Sequence, residues 1–221
     1  MPTSTLFRAS GALYLLIIVT GLTSELALRG PLIGTTPVET SALIIDGDFR
    51  LRLSILADAI MISADVALAI LFFGMLASAG RTLATLAAAF RLIQAAILGA
   101  GLTTLYSALI WTSAGQLDLA HGALHLHSAG YDLGLIFFGI NSVMTGLLLI
   151  RHPDFPTSLG GMLVAAGGVY LVGSSLRVLA PEVHILFQPA YLITVVSETT
   201  FAVMLLSRGF ARTELARRQA A

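Results

Sequence analysis

The sequence contains no cysteine and no lysine, and only 11% of its 221 residues are charged. The absence of cysteine excludes disulfides, thiolate metal sites, thiolate-bound iron–sulfur clusters and cysteine nucleophiles. Soluble domains carry roughly 25% charged residues, so a soluble fold of this length would lack the polar material to cover its surface. All twelve basic residues are arginine, which is typical of a GC-rich bacterial genome. The low charge indicates that lipid is the solvent of this chain.

Several function classes are excluded by what the sequence lacks. Twelve basic residues balance twelve acidic ones, so the basic surface that a nucleic-acid partner requires is absent. There is no Walker loop, no dinucleotide fingerprint, no GxSxG and no HExxH. A b-type haem would need deep histidines on two helices, which the pattern does not supply. The sequence therefore predicts no particular reaction.

Long apolar stretches dominate what is present. Hydrophobic residues make up 57% of the chain, and the mean hydropathy is +0.91. Six stretches reach the roughly 20 residues that a membrane span needs. They lie at about 9–28, 53–77, 83–111, 127–150, 159–179 and 186–206. We predict an all-α integral membrane bundle of six transmembrane helices, forming one domain over residues 1–221 with the lipid bilayer as its partner.

The segments between the spans are short. The first stretch is expected to remain as a span, because no convincing small-x-small cleavage site follows it. Residues 30–52 form the longest polar segment and contain two prolines, so we expect a loop with a short surface helix.

Arginine placement predicts the orientation of the chain. With the N-terminus inside, seven arginines lie on the cytoplasmic side and four on the outer side, while Arg91 lies within the third span. Because basic residues are retained on the cytoplasmic side, we expect a multi-pass protein of the cell inner (plasma) membrane with both termini cytoplasmic. The arginine-rich tail from Arg208 to Arg218 is typical of an inner-leaflet anchor.

Several segments, in the order in which they occur along the chain, resemble those of a known family. The most specific is HSAGYDLGLIFFG at 127–139, where polar and apolar residues alternate in a fixed order. FRASGALYLLIIVTGL at 7–22, ADAIMISADVALAI at 57–70, FRLIQAAILG at 90–99 and FPTSLGGMLVAAGGVYLV at 155–172 accompany it. Together they resemble the bacterial multi-span membrane family known as domain of unknown function 4386, apart from Ser158, where that family tends to have a basic residue. The resemblance implies a fold and a membrane location but no activity.

Polar residues within the spans are the candidates for function. An ionised side chain at the bilayer centre costs about 2.5–3.5 kcal/mol, so these residues should face the bundle interior and have partners. They are Asp58, Asp65, Arg91, Gln94, Tyr131, Asp132 and Glu198. We expect Arg91 to pair with Asp65 or Glu198.

The deep acids outnumber the deep bases. Asp58, Asp65 and Glu198 are three acids, and Arg91 is the only base placed deep by its position in a span. An acid left over must hold a proton, bind a cation or face water. The leading hypothesis is therefore binding or transport of a small, partly apolar, lipid-like molecule through a polar intramembrane pocket, linked to protons. The alternative explanation is purely structural: each of these polar residues would form ion pairs or hydrogen bonds that hold neighbouring helices together.

Histidines suggest a different function. His121, His125 and His127 lie in HGALHLH, between the third and fourth spans. Imidazoles at this spacing are typical ligands of zinc or copper, although Gly115 and Gly122 favour a solvated loop of irregular backbone. An intramembrane metal-dependent enzyme using His127 with Asp58, Asp132 or Glu25 is the second hypothesis, and a non-catalytic membrane partner or sensor is the third. We also predict that His127 and Tyr131 point into the bundle near Asp58.

Small residues predict close helix packing. Gly130 and Gly134 form a GxxxG at the start of the fourth span, and five glycines between 160 and 173 line the fifth. Such residues let helix backbones approach closely.

The topology can be tested directly because the chain has no native cysteine. A single cysteine placed at Gly115 and one placed at the C-terminus should react with membrane-impermeant maleimide from opposite sides, since three spans separate them. Labelling of intact and permeabilised cells distinguishes the sides. Labelling of both positions from the same side would contradict the six-span topology.

Overall fold

The computed structural model describes the chain over residues 3–220, with side chains through residue 213. Over that range the chain is helical and contains no strand. The α-helices are α1 (Thr3–Leu22), α2 (Pro37–Asp46), α3 (Asp48–Leu76), α4 (Arg81–Ser113), α5 (Leu117–Arg151), α6 (Thr157–Leu179), α7 (Pro181–Phe187) and α8 (Tyr191–Ala220). Shorter turns continue several of them, namely a π-helix at Thr23–Arg29 and 3₁₀ turns at Gly30–Leu32, Ala77–Ala79 and Gln188–Ala190. Arg217 and Arg218 of the predicted anchor lie outside the described side chains.

Six helical runs within the described residues are long and apolar enough to cross a membrane. They are Thr3–Leu32, Asp48–Ala79, Arg81–Ser113, Leu117–Arg151, Thr157–Leu179 and Pro181–Thr213. The predicted all-α fold with six spans is therefore confirmed, and the chain is a multi-pass membrane protein.

The fourth span begins earlier than the hydropathy pattern indicated. We predicted its start at His127, but α5 begins at Leu117. The helix break is Gly115, whose φ of 71° lies in the left-handed region that favours glycine. Gly122 is helical, so the expectation of a solvated loop over HGALHLH is wrong. Alternating polar and apolar residues lower the hydropathy of this segment without interrupting its helix.

The surface helix expected between the first two spans is α2. Pro37 occupies its first turn, and the Thr36 side chain caps it by accepting a hydrogen bond from the Glu39 N–H at 3.2 Å. Glu39 in turn accepts hydrogen bonds from the side chain and the backbone N–H of Thr35, both at 2.8 Å. These bonds, the side-chain bond first, lower the pKa of Glu39 below its ordinary value. The polar segment therefore has a defined local structure.

The described residues form two compact units, each discontinuous in sequence. Unit 1 comprises residues 1–16, 64–94 and 135–221, and unit 2 comprises residues 17–63 and 95–134. In unit 1, α6 packs against α8, and a row of aromatic rings joins α1, α3 and α8 through Tyr14, Phe72 and Phe201. In unit 2, the core contains leucines from the first span, α3, α4 and α5 together with Ile44 of α2.

Two glycine pairs hold α5 and α6 close together in unit 1. A Cβ on Gly146 would lie 2.6 Å from the Gly160 carbonyl oxygen, and a Cβ on Gly139 would lie 2.9 Å from that of Gly167. By contrast, Gly161 has nothing within 4 Å of such an atom. The fifth span was predicted to pack through its glycines, and the structure shows that Gly160 and Gly167 do so.

Only one glycine of the predicted GxxxG in the fourth span makes a close contact with another helix. In unit 2, a Cβ on Gly134 would lie 3.0 Å from a methyl carbon of Leu98, whereas one on Gly130 would meet nothing within 4 Å. Gly134 is therefore the member of the pair that lets α5 approach α4.

The close approach of α5 and α6 predicts a large difference between neighbouring glycines. Gly146→Ala should destabilise the folded protein by about 1–3 kcal/mol, because the new methyl group overlaps backbone that cannot rotate away. Gly161→Ala is the matched control and should be neutral or slightly stabilising, since helical alanine costs less conformational entropy. Thermal unfolding in detergent measures both. Equal midpoints for the two variants would show that the predicted overlap does not exist.

Candidate functional site

A buried ion pair lies at the centre of the polar residues of unit 1. Arg91 on α4 donates from a terminal guanidinium nitrogen to Asp65 Oδ1 on α3, with 2.5 Å between the two atoms. Arg91 is 2% exposed and Asp65 3% exposed. The predicted pairing of Arg91 is therefore confirmed, with Asp65 as the partner. We use the name Arg91 cluster for this pair together with Tyr14 and Gln94, which contact it, and with Glu198 and its partner Tyr170, of which Glu198 lies within electrostatic range of the pair.

Aromatic rings surround the Arg91 guanidinium. Its central carbon lies 5.3 Å from the ring centroid of Tyr14, 5.6 Å from that of Phe72 and 5.2 Å from that of Phe138. These distances are within the roughly 6 Å over which a ring face attracts a cation. The three rings therefore replace part of the hydration that the guanidinium loses, while Asp65 supplies the opposite charge.

Glu198 is the second acid of the Arg91 cluster. It lies on α8 and is 7% exposed. The Tyr170 hydroxyl donates to its Oε1 at 2.7 Å, and Tyr14 lies close by. Arg91 and Asp65 are within electrostatic range of Glu198, but among the described side chains no arginine lies within ion-pair distance of it. Glu198 is thus held by tyrosines while Arg91 is bonded to Asp65.

A narrow crevice lies beside Arg91. Apolar side chains of α3, α4 and α5 form most of its lining, and Arg91, Asn141 and Thr145 give it a polar side. Its volume is about 10 Å³, which is close to the space that one water molecule requires. Gln94 Oε1 and Arg91 Nε, also in the Arg91 cluster, have no hydrogen-bond partner among the described residues. The cluster therefore has unused hydrogen-bonding capacity.

Unit 2 contains a second buried arginine that the sequence pattern did not reveal. Arg29 is 1% exposed and lies at the end of the π-helix Thr23–Arg29. One terminal nitrogen donates to Asp58 Oδ2 on α3 at 2.7 Å and to Ser24 Oγ at 3.2 Å. The other donates to Glu25, one turn earlier in the π-helix. We call Glu25, Arg29, Asp58 and His127 the Arg29 cluster.

His127 completes the Arg29 cluster. It is 2% exposed, and its Nδ1 lies 3.0 Å from the carbonyl oxygen of Gly101 on α4. Arg29, Asp58 and Glu25 are all within electrostatic range of the ring. Tyr131 is half-buried, and its ring centroid lies 6.2 Å from that of His127. The prediction that His127 points inward near Asp58 is therefore confirmed.

Three atoms of the Arg29 cluster have no hydrogen-bond partner among the described residues: His127 Nε2, Asp58 Oδ1 and Arg29 Nε. Because Nδ1 faces a carbonyl oxygen, it carries the proton of the neutral ring, and Nε2 is left as an acceptor. The Arg29 cluster therefore offers two acceptors and one donor.

Arg29 corrects the charge count made from sequence. We expected three deep acids and one deep base, with Arg29 on the outer side, but Arg29 is buried and neutralises Asp58. Glu25, the second acid bonded to Arg29, has a side chain that is 48% exposed and can be solvated. The surplus acid in unit 1 is Glu198, which is enclosed. Of the three deep acids counted from sequence, Asp58 and Asp65 each have an arginine partner. The charge of Glu198 is the one that still has to be explained.

The other predicted residues are distributed as follows. Asp132 is 9% exposed and lies on α5 in unit 2. Asn141 accepts a hydrogen bond from Thr145 at 3.3 Å in unit 1. His121 and His125 contact each other through their rings on α5. No group of three or more histidine, cysteine or acidic side chains close enough to hold a metal occurs among the residues described.

Sequence reasoning missed Arg29, Tyr14 and Tyr170. Arg29 follows Glu25 by four residues, a spacing that permits an ion pair on one helix face and could have indicated a helical extension of the first span. Tyr14 and Tyr170 lie within apolar runs, where a tyrosine hydroxyl must find a partner when it is buried. Tyr170 donates the hydrogen bond of Glu198, and Tyr14 lies close to the same carboxylate.

Comparison with known proteins gives a family and no activity. A family model described as a domain of unknown function (DUF4386) matches residues 9–209. Neither a curated protein nor a solved structure matches the chain.

The Arg91–Asp65 pair predicts a specific pattern of stabilities. Arg91→Leu should destabilise the protein by about 3–5 kcal/mol, because it leaves Asp65 buried without a counter-ion. The double substitution Arg91→Leu with Asp65→Leu should recover part of that loss. Thermal unfolding and folded yield in membranes measure both.

The matched control for this pair is Arg52→Leu. Arg52 also pairs with an aspartate, Asp48, but both side chains are about half exposed, so its loss should change the unfolding midpoint little. A double substitution no more stable than Arg91→Leu alone would show that the two residues do not stabilise each other.

Proposed function

Since this chain belongs to the DUF4386 family, whose description gives no activity, we propose from its own buried charges that it binds or transports a small, partly apolar molecule through a polar intramembrane site, and that this process is linked to a proton. The proposed site is the Arg91 cluster. Glu198 is the proton-carrying group, and Arg91 and Asp65 form the ion pair that faces it.

The observation that supports this proposal is the charge of the Arg91 cluster. Two enclosed carboxylates, Asp65 and Glu198, face one enclosed guanidinium, Arg91. Two negative charges and one positive charge leave a surplus of one negative charge, and one proton removes it. An uncompensated charge away from water is strongly disfavoured. A cluster of this composition is stable when it holds one proton, and it can release that proton when water or a cationic group reaches Glu198.

The surroundings of the cluster favour a partly apolar ligand. The crevice beside Arg91 is lined mostly by alanine, leucine and phenylalanine, with Asn141 and Thr145 on its polar side. Its volume of about 10 Å³ is far below that of ordinary ligand pockets, which are roughly 300–1,000 Å³. Helix separation would therefore accompany binding, and this motion would expose Glu198 to a proton donor or acceptor.

The cellular location is also part of the proposal. The arginine distribution favours the inner membrane of a bacterium with both termini in the cytoplasm. Many proton-linked membrane proteins use the proton gradient across such a membrane, so this location is consistent with the role of Glu198.

The Arg29 cluster does not favour the metal-dependent enzyme. Two of the three carboxylates proposed to accompany His127, namely Asp58 and Glu25, are bonded to Arg29. The guanidinium is itself a cation and opposes a metal ion at the same oxygens. Fully paired charges and the absence of a cavity would favour a non-catalytic partner or sensor. The crevice is small, but Glu198 has no arginine at ion-pair distance among the described side chains.

Glu198→Gln tests the proposal because it removes the titratable group and keeps the shape and a hydrogen-bond acceptor for Tyr170. We expect infrared spectra of the wild-type protein in lipid to contain a protonated-carboxyl band that Glu198→Gln lacks. Proteoliposomes with an imposed pH gradient and a trapped pH-sensitive dye provide the functional measurement. A panel of small amphiphilic molecules should include at least one that dissipates the gradient with wild-type protein and not with Glu198→Gln.

Glu182→Gln is the matched control, because Glu182 is an exposed glutamate of the same unit. It should leave both the infrared band and the gradient dissipation unchanged. Retention of the carboxyl band in Glu198→Gln, or equal dissipation by the two variants, would contradict the proposed role of Glu198.

A further inference from the structure

Two histidines on α5 direct ring nitrogens at each other. His121 and His125 are one turn apart, and their Nε2 atoms are separated by 3.1 Å. The two rings are nearly perpendicular, with 4.4 Å between centroids. His125 is exposed and His121 is partly exposed, so solutes can reach the pair. Neither residue belongs to the Arg91 cluster or to the Arg29 cluster.

Thr40 of α2 determines which nitrogen of His121 carries the proton. Its Oγ1 lies 2.8 Å from His121 Nδ1. The same hydroxyl donates to the Gly34 carbonyl oxygen at 3.3 Å and accepts from the Gly34 N–H at 3.1 Å. A hydroxyl has one proton to donate, and Gly34 receives it. With the Thr40 proton on the Gly34 carbonyl oxygen, His121 Nδ1 donates to Thr40, and the Nε2 of His121 keeps a lone pair directed at His125.

This arrangement is the one that metal-binding histidines use. A ligating imidazole commonly donates its other N–H to a fixed oxygen, which sets the tautomer and the ring orientation. Thr40, which is fully buried, holds His121 in that way. With metal–nitrogen distances of about 2.0–2.1 Å, two ligand nitrogens are about 3.3–3.4 Å apart in a tetrahedral site and about 2.8–3.0 Å apart at a right angle. The observed 3.1 Å lies between these two values.

We propose that His121 and His125 bind a late first-row divalent metal ion, Zn²⁺ or Cu²⁺, with Thr40 as a positioning residue. Both ligands are Nε2 atoms, and water or an external ligand fills the remaining coordination positions, because no third histidine or carboxylate joins them among the described residues. Without metal, His125 Nε2–H donates to His121 Nε2. When metal binds, that proton moves to His125 Nδ1, so no net proton is released.

Imidazole ligands and the stability order of divalent ions determine the choice of metal. Neutral imidazole suits zinc and copper, and copper binds most tightly in the first-row series. Ca²⁺ and Mg²⁺ prefer oxygen ligands and should not compete. An open two-histidine site of this kind exchanges its metal readily with solution, so it is suited to sensing or taking up the ion and not to holding it permanently.

Metal binding by the full-length protein in detergent, purified with a tag that contains no histidine, tests the proposal. Zn²⁺ titrations by calorimetry and Cu²⁺ electron paramagnetic resonance should show one site per chain, with the copper spectrum showing two equatorial nitrogens. His125→Ala is the decisive ligand variant, because it removes one of the two proposed ligands at an exposed position. It should weaken metal binding by at least about 10–100-fold. Replacing a residue that only orients a ligand already costs that much, and His125 is proposed as a ligand itself.

Thr40 provides a finer test of the geometry. Thr40→Val should weaken metal binding by about 10–100-fold, whereas Thr40→Ser, which keeps the hydroxyl, should retain wild-type affinity. His152→Gln changes a histidine of unit 1 and should leave binding unchanged. Unaltered affinity in His125→Ala would assign the metal to other residues and overturn the proposal. Wild-type binding no stronger than that of the His121→Ala, His125→Ala double variant would overturn it as well.

Discussion

The free-energy cost of burying a guanidinium among membrane-spanning helices constrains much of this structure. Arg91 and Arg29 are among the largest fully buried side chains, and each bonds to an aspartate on α3, Asp65 or Asp58. Removing one member of such a pair leaves a charge that neither lipid nor apolar side chains can solvate. The pairing therefore limits which face of α3 can be turned inward. It also requires the rings and hydroxyls near each arginine to supply the remaining contacts.

The fold was largely predictable from sequence, and the helix ends were not. Six apolar runs were sufficient to predict six spans because a bilayer requires length and hydropathy and little else. The start of α5 was placed ten residues late, since hydropathy detects the hydrocarbon region and not the helix that continues beyond it. The true break at Gly115 depends on one left-handed backbone angle. Hydropathy contains no information about that angle.

The Arg91 cluster was predictable in part, and Arg29 was not. Counting residues along regular helices placed Asp65, Arg91 and Glu198 at compatible depths, and two of them pair as expected. The same counting placed Arg29 beyond the first span. The π-helix at Thr23–Arg29 changes this result, because it continues the first span as a helix and its wider turns rotate the following side chains. The spacing of Glu25 and Arg29 was the one available signal for this extension, and hydropathy alone does not contain it.

A proton-linked process needs an element with two arrangements whose balance the proton can shift. Arg91 has the properties of such an element. It is bonded to Asp65 while Glu198 lies within electrostatic range, so two carboxylates compete for one guanidinium. With a proton on Glu198, Asp65 is the only anion and keeps the arginine. When Glu198 is ionised, its attraction for the guanidinium opposes that of Asp65. In the proposed function, protonation of Glu198 would therefore set how strongly the ion pair is held, and with it the contact between α3 and α4.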